Sequence, residues 1–278
     1  MRRPVVPALL LILVLTVALA QGCSDSNPGK VGRRTLILAT TTSAQDSGIL
    51  DEFVRRFEKQ YPYKLKAVAV GSGSALFMGR NGDADVMLTH EPKAEGEFME
   101  AGNGESIHKV MHNDFIIVGP ASDPAHIRSL RDADEAFSKI AASGSTFVSR
   151  SDASGTNAME LTIWDRLGIN PSGNKWYVET GQGMGETIRI AEQENAYTLT
   201  DRATYIVMEE GLSLKMLVQG DSRLINQYSV TVVNPNKSPR VNNQGAVDFS
   251  AFLRSAQTKK LIREFGWDRY HEHLFYSD

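Results

Sequence analysis

Apolar and polar positions run along this chain in short blocks, and several blocks end in glycine, serine or threonine. Thr35-Leu36-Ile37-Leu38-Ala39 has the length and apolar character of a buried strand, and it stops at Thr40-Thr41-Thr42-Ser43. Ile49, Leu50, Phe53 and Phe57 then recur on one face at helical spacing. Tyr63-Lys64-Leu65-Lys66-Ala67-Val68-Ala69-Val70 alternates with period two, as a strand does, and ends in Gly71-Ser72-Gly73-Ser74, where another helix is predicted to start. Further strands are predicted over 84–89, 114–120, 146–149, 196–200 and 228–233, with a helix over about 157–167 and helical stretches to about Tyr276. This repeated strand–loop–helix punctuation predicts an α/β fold with a mostly parallel sheet flanked by helices. No internal repeat, low-complexity tract or heptad pattern interrupts it.

The first residues follow a different pattern. Arg2 and Arg3 precede an apolar stretch over 5–20, and Gln21-Gly22-Cys23 follows. That is the layout of a secretory signal, and the stretch falls short of the ~20 apolar residues of a spanning helix. We therefore expect a signal peptide over 1–22, a flexible leader over 23–34, and an exported protein that faces the periplasm or exterior. Cys23 is the only cysteine, so no internal disulfide forms. Its place resembles the lipidation site of bacterial lipoproteins, although Leu19 lies one position further upstream than in the common pattern. Lipidation and anchoring at Cys23 are expected; an ordinary secreted protein is the other reading. The rest of the chain is long enough for two lobes. A net charge of -3 and the lack of a basic run argue against a nucleic-acid partner.

Three segments carry candidate chemistry: Thr40-Thr41-Thr42-Ser43, Gly71-Ser72-Gly73-Ser74, and Ser149-Arg150-Ser151-Asp152-Ala153-Ser154-Gly155-Thr156. Each follows a predicted strand and precedes a predicted helix. A helix N-terminus offers unpaired N–H groups and a positive dipole end, glycine allows close approach, and hydroxyls add donors. Such ends suit a small anion. Any one loop taken singly is better explained by capping than by ligand binding, since serine and threonine are ordinary caps. Four consecutive hydroxyls exceed what one cap requires, and Arg150 adds a fork of donors that matches an oxyanion. Arg150 could instead pair with Asp152. The candidate oxyanion-binding residues are Thr41, Thr42, Ser43, Ser74, Arg150, Ser154, Gly155 and Thr156.

Other features point less clearly. His108 and His112 stand four apart, without the further ligands a metal site needs, and no metal or cofactor is expected. His271-Glu272-His273 reads as a solvated face. Gly181-Gln182-Gly183-Met184-Gly185 lacks dinucleotide-binding spacing and reads as a turn or a cleft wall. Ser74 and Ser154 lie outside any nucleophile elbow, so a hydrolase is a distant alternative to a non-enzymatic binding protein.

The run Leu36-Ile37-Leu38-Ala39-Thr40-Thr41-Thr42-Ser43 with Gln45-Asp46 resembles the signature of the tungstate-binding TupA family, the receptors of tungstate ABC transporters. Val68-Ala69-Val70-Gly71-Ser72-Gly73-Ser74, His112-Asn113-Asp114-Phe115 and Phe147-Val148-Ser149-Arg150-Ser151-Asp152-Ala153-Ser154-Gly155-Thr156 agree with it. So do Gly181-Gln182-Gly183-Met184-Gly185 and Ala196-Tyr197-Thr198-Leu199-Thr200-Asp201-Arg202. The resemblance implies a two-lobed type II periplasmic-binding-protein fold with the ligand in the cleft. It implies lobes over 35–119 plus 229–278 and over 120–228, joined by two crossing strands. It further implies oxyanion contacts from Thr42, Ser43, Ser74, Arg150 and Thr156, a membrane permease as partner, and a receptor for tungstate or molybdate; a monomer is expected. Two positions depart from the family: Ser151 stands where glycine commonly follows the arginine, and Asn157 where histidine often follows the threonine. Phosphate and sulfate remain alternative ligands, with Asp46 or Asp152 able to accept the proton of hydrogen phosphate.

Overall fold

The computed structural model describes residues 34–278; the expected signal peptide, most of the leader and Cys23 lie outside them. The chain runs β1 (Arg34–Thr41), α1 (Thr42–Asp46), α2 (Ile49–Gln60), β2 (Tyr63–Val70), α3 (Ser72–Asn81), β3 (Val86–Thr89), α4 (Pro92–Glu100) and β4 (Gly104–Gly119). It continues through α5 (Ala133–Ser143), β5 (Phe147–Ser149), α6 (Gly155–Arg166), β6 (Tyr177–Glu179), α7 (Met184–Gln193), β7 (Thr198–Asp201) and α8 (Arg202–Met208). The last elements are β8 (Lys215–Val218), β9 (Ile225–Val233), α9 (Asn243–Arg254), α10 (Ala256–Glu264), α11 (Trp267–Tyr270) and β10 (Tyr276–Ser277).

Local chemistry accounts for the early elements. In α2, Ile49, Leu50, Phe53 and Phe57 fall on one buried face, with Asp51 and Glu52 in the first turn and Lys59 in the last, as the helix dipole favours. The helix stops at Tyr61, since the residue before Pro62 is disfavoured in the helical region. Phe57 then packs against Tyr61, Tyr63, Phe249 and Phe252, which ties the C-terminal helices to the first βα unit.

The main sheet runs β10-β4-β9-β3-β1-β2, with β7 and β8 also paired to β4. The parallel pairings are β1–β2, β1–β3 and β5–β6, where a helix separates the strands. Every pairing made by β4 and β9 is antiparallel, so the sheet is mixed, and the parallel expectation holds only within the βα units. The 16-residue β4 is the central element. Its first part, to Asp114, pairs with β9, and from Phe115 onward it pairs with β7 and β8. One buried cluster, including Phe137, Phe147 and Trp164, draws only on residues between Phe115 and Leu224. Another joins the two ends of the described chain, from Leu36 to Phe275. Among the described residues no helix is long and apolar enough to cross a membrane.

Candidate functional site

The four hydroxyls that open α1 divide the work between them. Thr40 donates to the Leu88 carbonyl at 3.0 Å and belongs to the sheet. Thr41 is the N-cap, its hydroxyl accepting from the Ala44 N–H at 3.3 Å. That leaves Thr42 and Ser43 beyond the needs of the helix, and the Ser43 hydroxyl is buried without a partner. At α6, Ser154 is the cap and accepts from the Asn157 N–H at 3.2 Å, which frees Thr156.

Arg150 joins these surplus hydroxyls. Its side chain is 1% exposed. Nη2 donates to Thr42 Oγ1 at 3.1 Å and to Asp152 Oδ2 at 2.5 Å, and Nη1 donates to Thr156 Oγ1 at 3.3 Å. Because arginine only donates, the protons of both threonine hydroxyls stay free for an acceptor. The Arg150 Nε is buried and unpartnered. A buried guanidinium, free hydroxyl protons and an orphaned hydroxyl form a cluster of donors, surroundings that favour negative charge.

Deeper side chains fix this loop. Ser149 donates to Glu160 Oε2 at 2.7 Å, and Tyr177 and Trp164 donate to the other oxygen. Burial raises the Glu160 carboxyl above the ordinary range, and these donors oppose the rise. Ser151 and Ala153, on either side of Asp152, adopt φ of 46° and 54°. Ser151 thus occupies a left-handed position that glycine would take without steric cost. Arg150 thus pairs with Asp152 from a buried position and lies among the donors.

The predicted residues do not all meet here. Thr41, Thr42, Ser43, Arg150, Ser154, Gly155 and Thr156 come together, while Ser74 stands at the surface. Ser74 is exposed, whereas Ser72 is buried and its Oγ accepts from the His90 N–H at 3.3 Å. The reason is the helix start: α3 begins at Ser72, and two residues further on the helix has turned by about 200°. Gly155 serves by its lack of a side chain, since a Cβ there would lie 2.4 Å from the His90 carbonyl oxygen and 2.6 Å from Nδ1.

His90 is the functional candidate that sequence reasoning missed. It follows β3 directly, is 3% exposed, and packs against Tyr228 with ring centroids 4.7 Å apart and the planes tilted by 34°. Burial, and then the Arg150 charge, push its pKa down to about 3, so the ring is neutral. Neither ring nitrogen has a partner at full hydrogen-bond geometry, nor has Asn226 Oδ1, although the Asn226 side chain lies near enough to oppose the fall in the His90 pKa. The available signal was positional: His90 ends a strand and precedes a helix, like the three loops that were singled out. Beneath it, Asn226 Nδ2 donates to Asn113 Oδ1 at 2.8 Å, and Asn113 Nδ2 faces Asp201 Oδ1 at 3.4 Å. This polar ladder crosses β9 and β4.

Gly181-Gln182-Gly183 leads into α7, so the predicted turn is the approach to a helix. The N-terminus of that helix meets α1. The Gly185 N–H donates to Asp46 Oδ2 at 3.0 Å, and the Met184 N–H to Thr42 Oγ1 at 3.4 Å. A Cβ on Gly183 or Gly185 would come within 3.2 Å of Thr42 or Asp46. Burial raises the Asp46 carboxyl. His108 and His112 lie on β4 rather than on a helix, and His112 pairs with Asp278. Among the described residues no cluster of metal-binding side chains occurs.

Residues 26–257 match the family model of a PBP superfamily domain. The chain is 42% identical over 272 residues to the tungstate-binding protein TupA of Peptoclostridium acidaminophilum, covering 95% of this chain and 94% of the relative. Two solved structures are similar throughout. The tungstate-binding protein TupA from Desulfovibrio alaskensis G20 shares 42% identity with a TM-score of 0.73, over 88% of this chain and 99% of that one. The tungstate ABC transporter structure from Geobacter sulfurreducens shares 43% identity with a TM-score of 0.76, over 83% and 98%. With its periplasmic-binding-protein fold and its similarity along nearly the whole length, the chain belongs to the TupA family of the PBP superfamily.

Proposed function

We propose that this chain is the extracytoplasmic solute-binding component of an ABC importer and that its ligand is tungstate, with molybdate as the near-isosteric competitor. The observation that carries this reading is the buried Arg150 guanidinium set among the surplus hydroxyls of Thr42, Ser43 and Thr156. The names of the relatives favour tungstate.

The state of Asp152 supports a fully ionised oxyanion over hydrogen phosphate. Asp152 is engaged by Arg150 and by the Ser154 N–H, and Asp46 by the Gly185 N–H. Both oxygens of Asp152 are therefore engaged, whereas only Oδ2 of Asp46 is, which leaves Asp46 as the one nearby carboxylate acceptor for a ligand's proton. Sulfate meets the same donors and differs by size. A catalytic serine finds no support, since the Ser154 hydroxyl is used as a cap and Ser74 is exposed.

The segments 35–119 plus 229–278 and 120–228 are proposed to act as two lobes that bend about β4 and β9. Donors from both segments surround the anion, so its binding favours the closed arrangement. The receptor is exported, is anchored through an acylated Cys23, works as a monomer and delivers its ligand to a membrane permease. It binds stoichiometrically and does not turn the ligand over. Incubation with tungstate followed by desalting and elemental analysis tests this. One tungsten per chain is expected, and tungsten at background level refutes the ligand assignment.

A further inference from the structure

Four buried side-chain atoms beside the donor cluster have no partner at hydrogen-bond geometry: both ring nitrogens of His90, Arg150 Nε and Asn226 Oδ1. They are four of the seven such atoms among the described residues, so the unsatisfied groups gather in one place. Buried polar groups normally find partners, and a gathering of this kind calls for one explanation. The directions follow from the far end of the ladder. Asp201 Oδ1 accepts the Thr204 N–H at 3.0 Å, so Asn113 turns its Nδ2 toward that oxygen, 3.4 Å away. Asn113 Oδ1 then accepts from Asn226 Nδ2 at 2.8 Å. The Asn226 oxygen is thereby turned away from Asn113, with the His90 side chain next to it, and it requires a donor. A ring nitrogen that serves it carries the proton, so the second nitrogen of the neutral ring offers a lone pair. Arg150 Nε has a proton and no acceptor. The ring reaches toward that side of the site. A Cβ on Gly155 would lie 2.6 Å from His90 Nδ1, and Gly155 adjoins Thr156, whose hydroxyl accepts from Arg150 Nη1 at 3.3 Å.

We propose that His90 is a positioning residue for Arg150: one ring nitrogen donates to Asn226 Oδ1, the other accepts from Arg150 Nε, and the relay from Asp201 through Asn113, Asn226 and His90 holds the guanidinium with both Nη atoms turned to Thr42, Thr156 and the anion. The proposal rests on the reading of Arg150 as an oxyanion ligand. Two hydrogen bonds then satisfy all four orphaned atoms. The ring has to be neutral, because an imidazolium has no lone pair and would repel the guanidinium. Its surroundings agree: burial and the Arg150 charge disfavour a second proton, the Tyr228 phenol is held neutral by burial, and the Asp201 carboxyl stands beyond two amides. The relay also alternates between the proposed lobes. His90 and Asn113 belong to 35–119, and Arg150, Asp201 and Asn226 to 120–228, so Arg150 is steadied only where the two meet.

The test combines NMR of the full chain carrying isotope-labelled histidine with tungstate titrations of wild type, His90→Leu and His90→Gln. At neutral pH the His90 ring is expected in one fixed neutral tautomer, with one protonated nitrogen and one bare nitrogen that accepts a hydrogen bond. An imidazolium, or two tautomers in exchange, overturns the relay. Glutamine can donate and accept at once, and leucine can do neither. His90→Leu is expected to weaken tungstate binding at least about tenfold, and His90→Gln to recover most of that loss. Wild-type affinity in His90→Leu, or equal losses in both variants, overturns the positioning role. The wild-type spectrum needs no variant, so it decides the relay even where His90→Leu does not fold. A wild-type chain that binds no tungstate overturns the reading of Arg150 as a ligand, and with it the positioning role, whatever tautomer the spectrum shows.

Discussion

Arg150 owes its role to what surrounds it rather than to its charge alone. Buried, with Nε unpartnered and Nη1 and Nη2 donating to threonines that keep their own protons, it orders several donors at once. Arg150→Ala is expected to weaken tungstate binding by roughly 10- to 150-fold, the equivalent of about 1.5–3 kcal/mol for a charge-assisted bond, measured by calorimetry. Two glycines behave oppositely under one substitution. Gly155→Ala drives a methyl into the His90 backbone and is expected to destabilise by about 1–3 kcal/mol. Gly96, inside α4 with open space around it, is expected to gain about 0.5–1 kcal/mol on replacement by alanine. Urea unfolding measures both. His90 makes stability depend on pH. Its folded pKa, about 3, lies below the ordinary 6.5, so the unfolded chain binds the extra proton first. Its contribution is present above pH 6.5 and is lost as pH falls toward 3. The His90→Gln variant is expected to lose less stability than wild type between pH 7 and pH 4.5, and equal losses would remove His90 from this account.

Short elements do the coupling. The five-residue α1 carries Thr42 and Ser43 at its start and Asp46 at its end, so the helix that carries the surplus hydroxyls also holds the N-terminus of α7. Asp46→Ala removes that contact and is expected to cost about 1 kcal/mol and to lower tungstate affinity in proportion, as read from paired thermal melts and titrations. This coupling was not legible beforehand. Thr40 to Ser43 stood out as an excess of hydroxyls, but only the fold separates sheet bond, cap and surplus. The βα units around β1, β2 and β3 followed from clean periodicity. The first part of β4 did not, because it is only partly covered and its alternation is weak, and its histidine spacing of four imitates a helix. The strands β6 and β8, three and four residues long, are too short to carry a pattern. The start of α7 was hidden behind glycines whose purpose, room for Thr42 and Asp46, is tertiary. The burial of Ser72 and the exposure of Ser74 were not legible either, because the sequence does not fix where α3 begins.

At the scale of the molecule, the antiparallel strands β4 and β9 carry the chain between its two segments, and the Asn113–Asn226 ladder lies across them. An anion held from both sides stabilises the folded, closed chain by mass action. Tungstate at one hundred times its Kd is expected to add about 2.7 kcal/mol of stability, visible as a rise in Tm that Arg150→Ala reduces. The central claim is that this arrangement is a receptor for a fully ionised tetrahedral oxyanion. Titration calorimetry of the soluble chain with tungstate, molybdate, sulfate and phosphate, followed by competition between the first two, tests it most directly. The account predicts one-to-one binding of tungstate, weaker binding of molybdate, and no heat from phosphate. Silence toward tungstate, or a preference for phosphate, would contradict it.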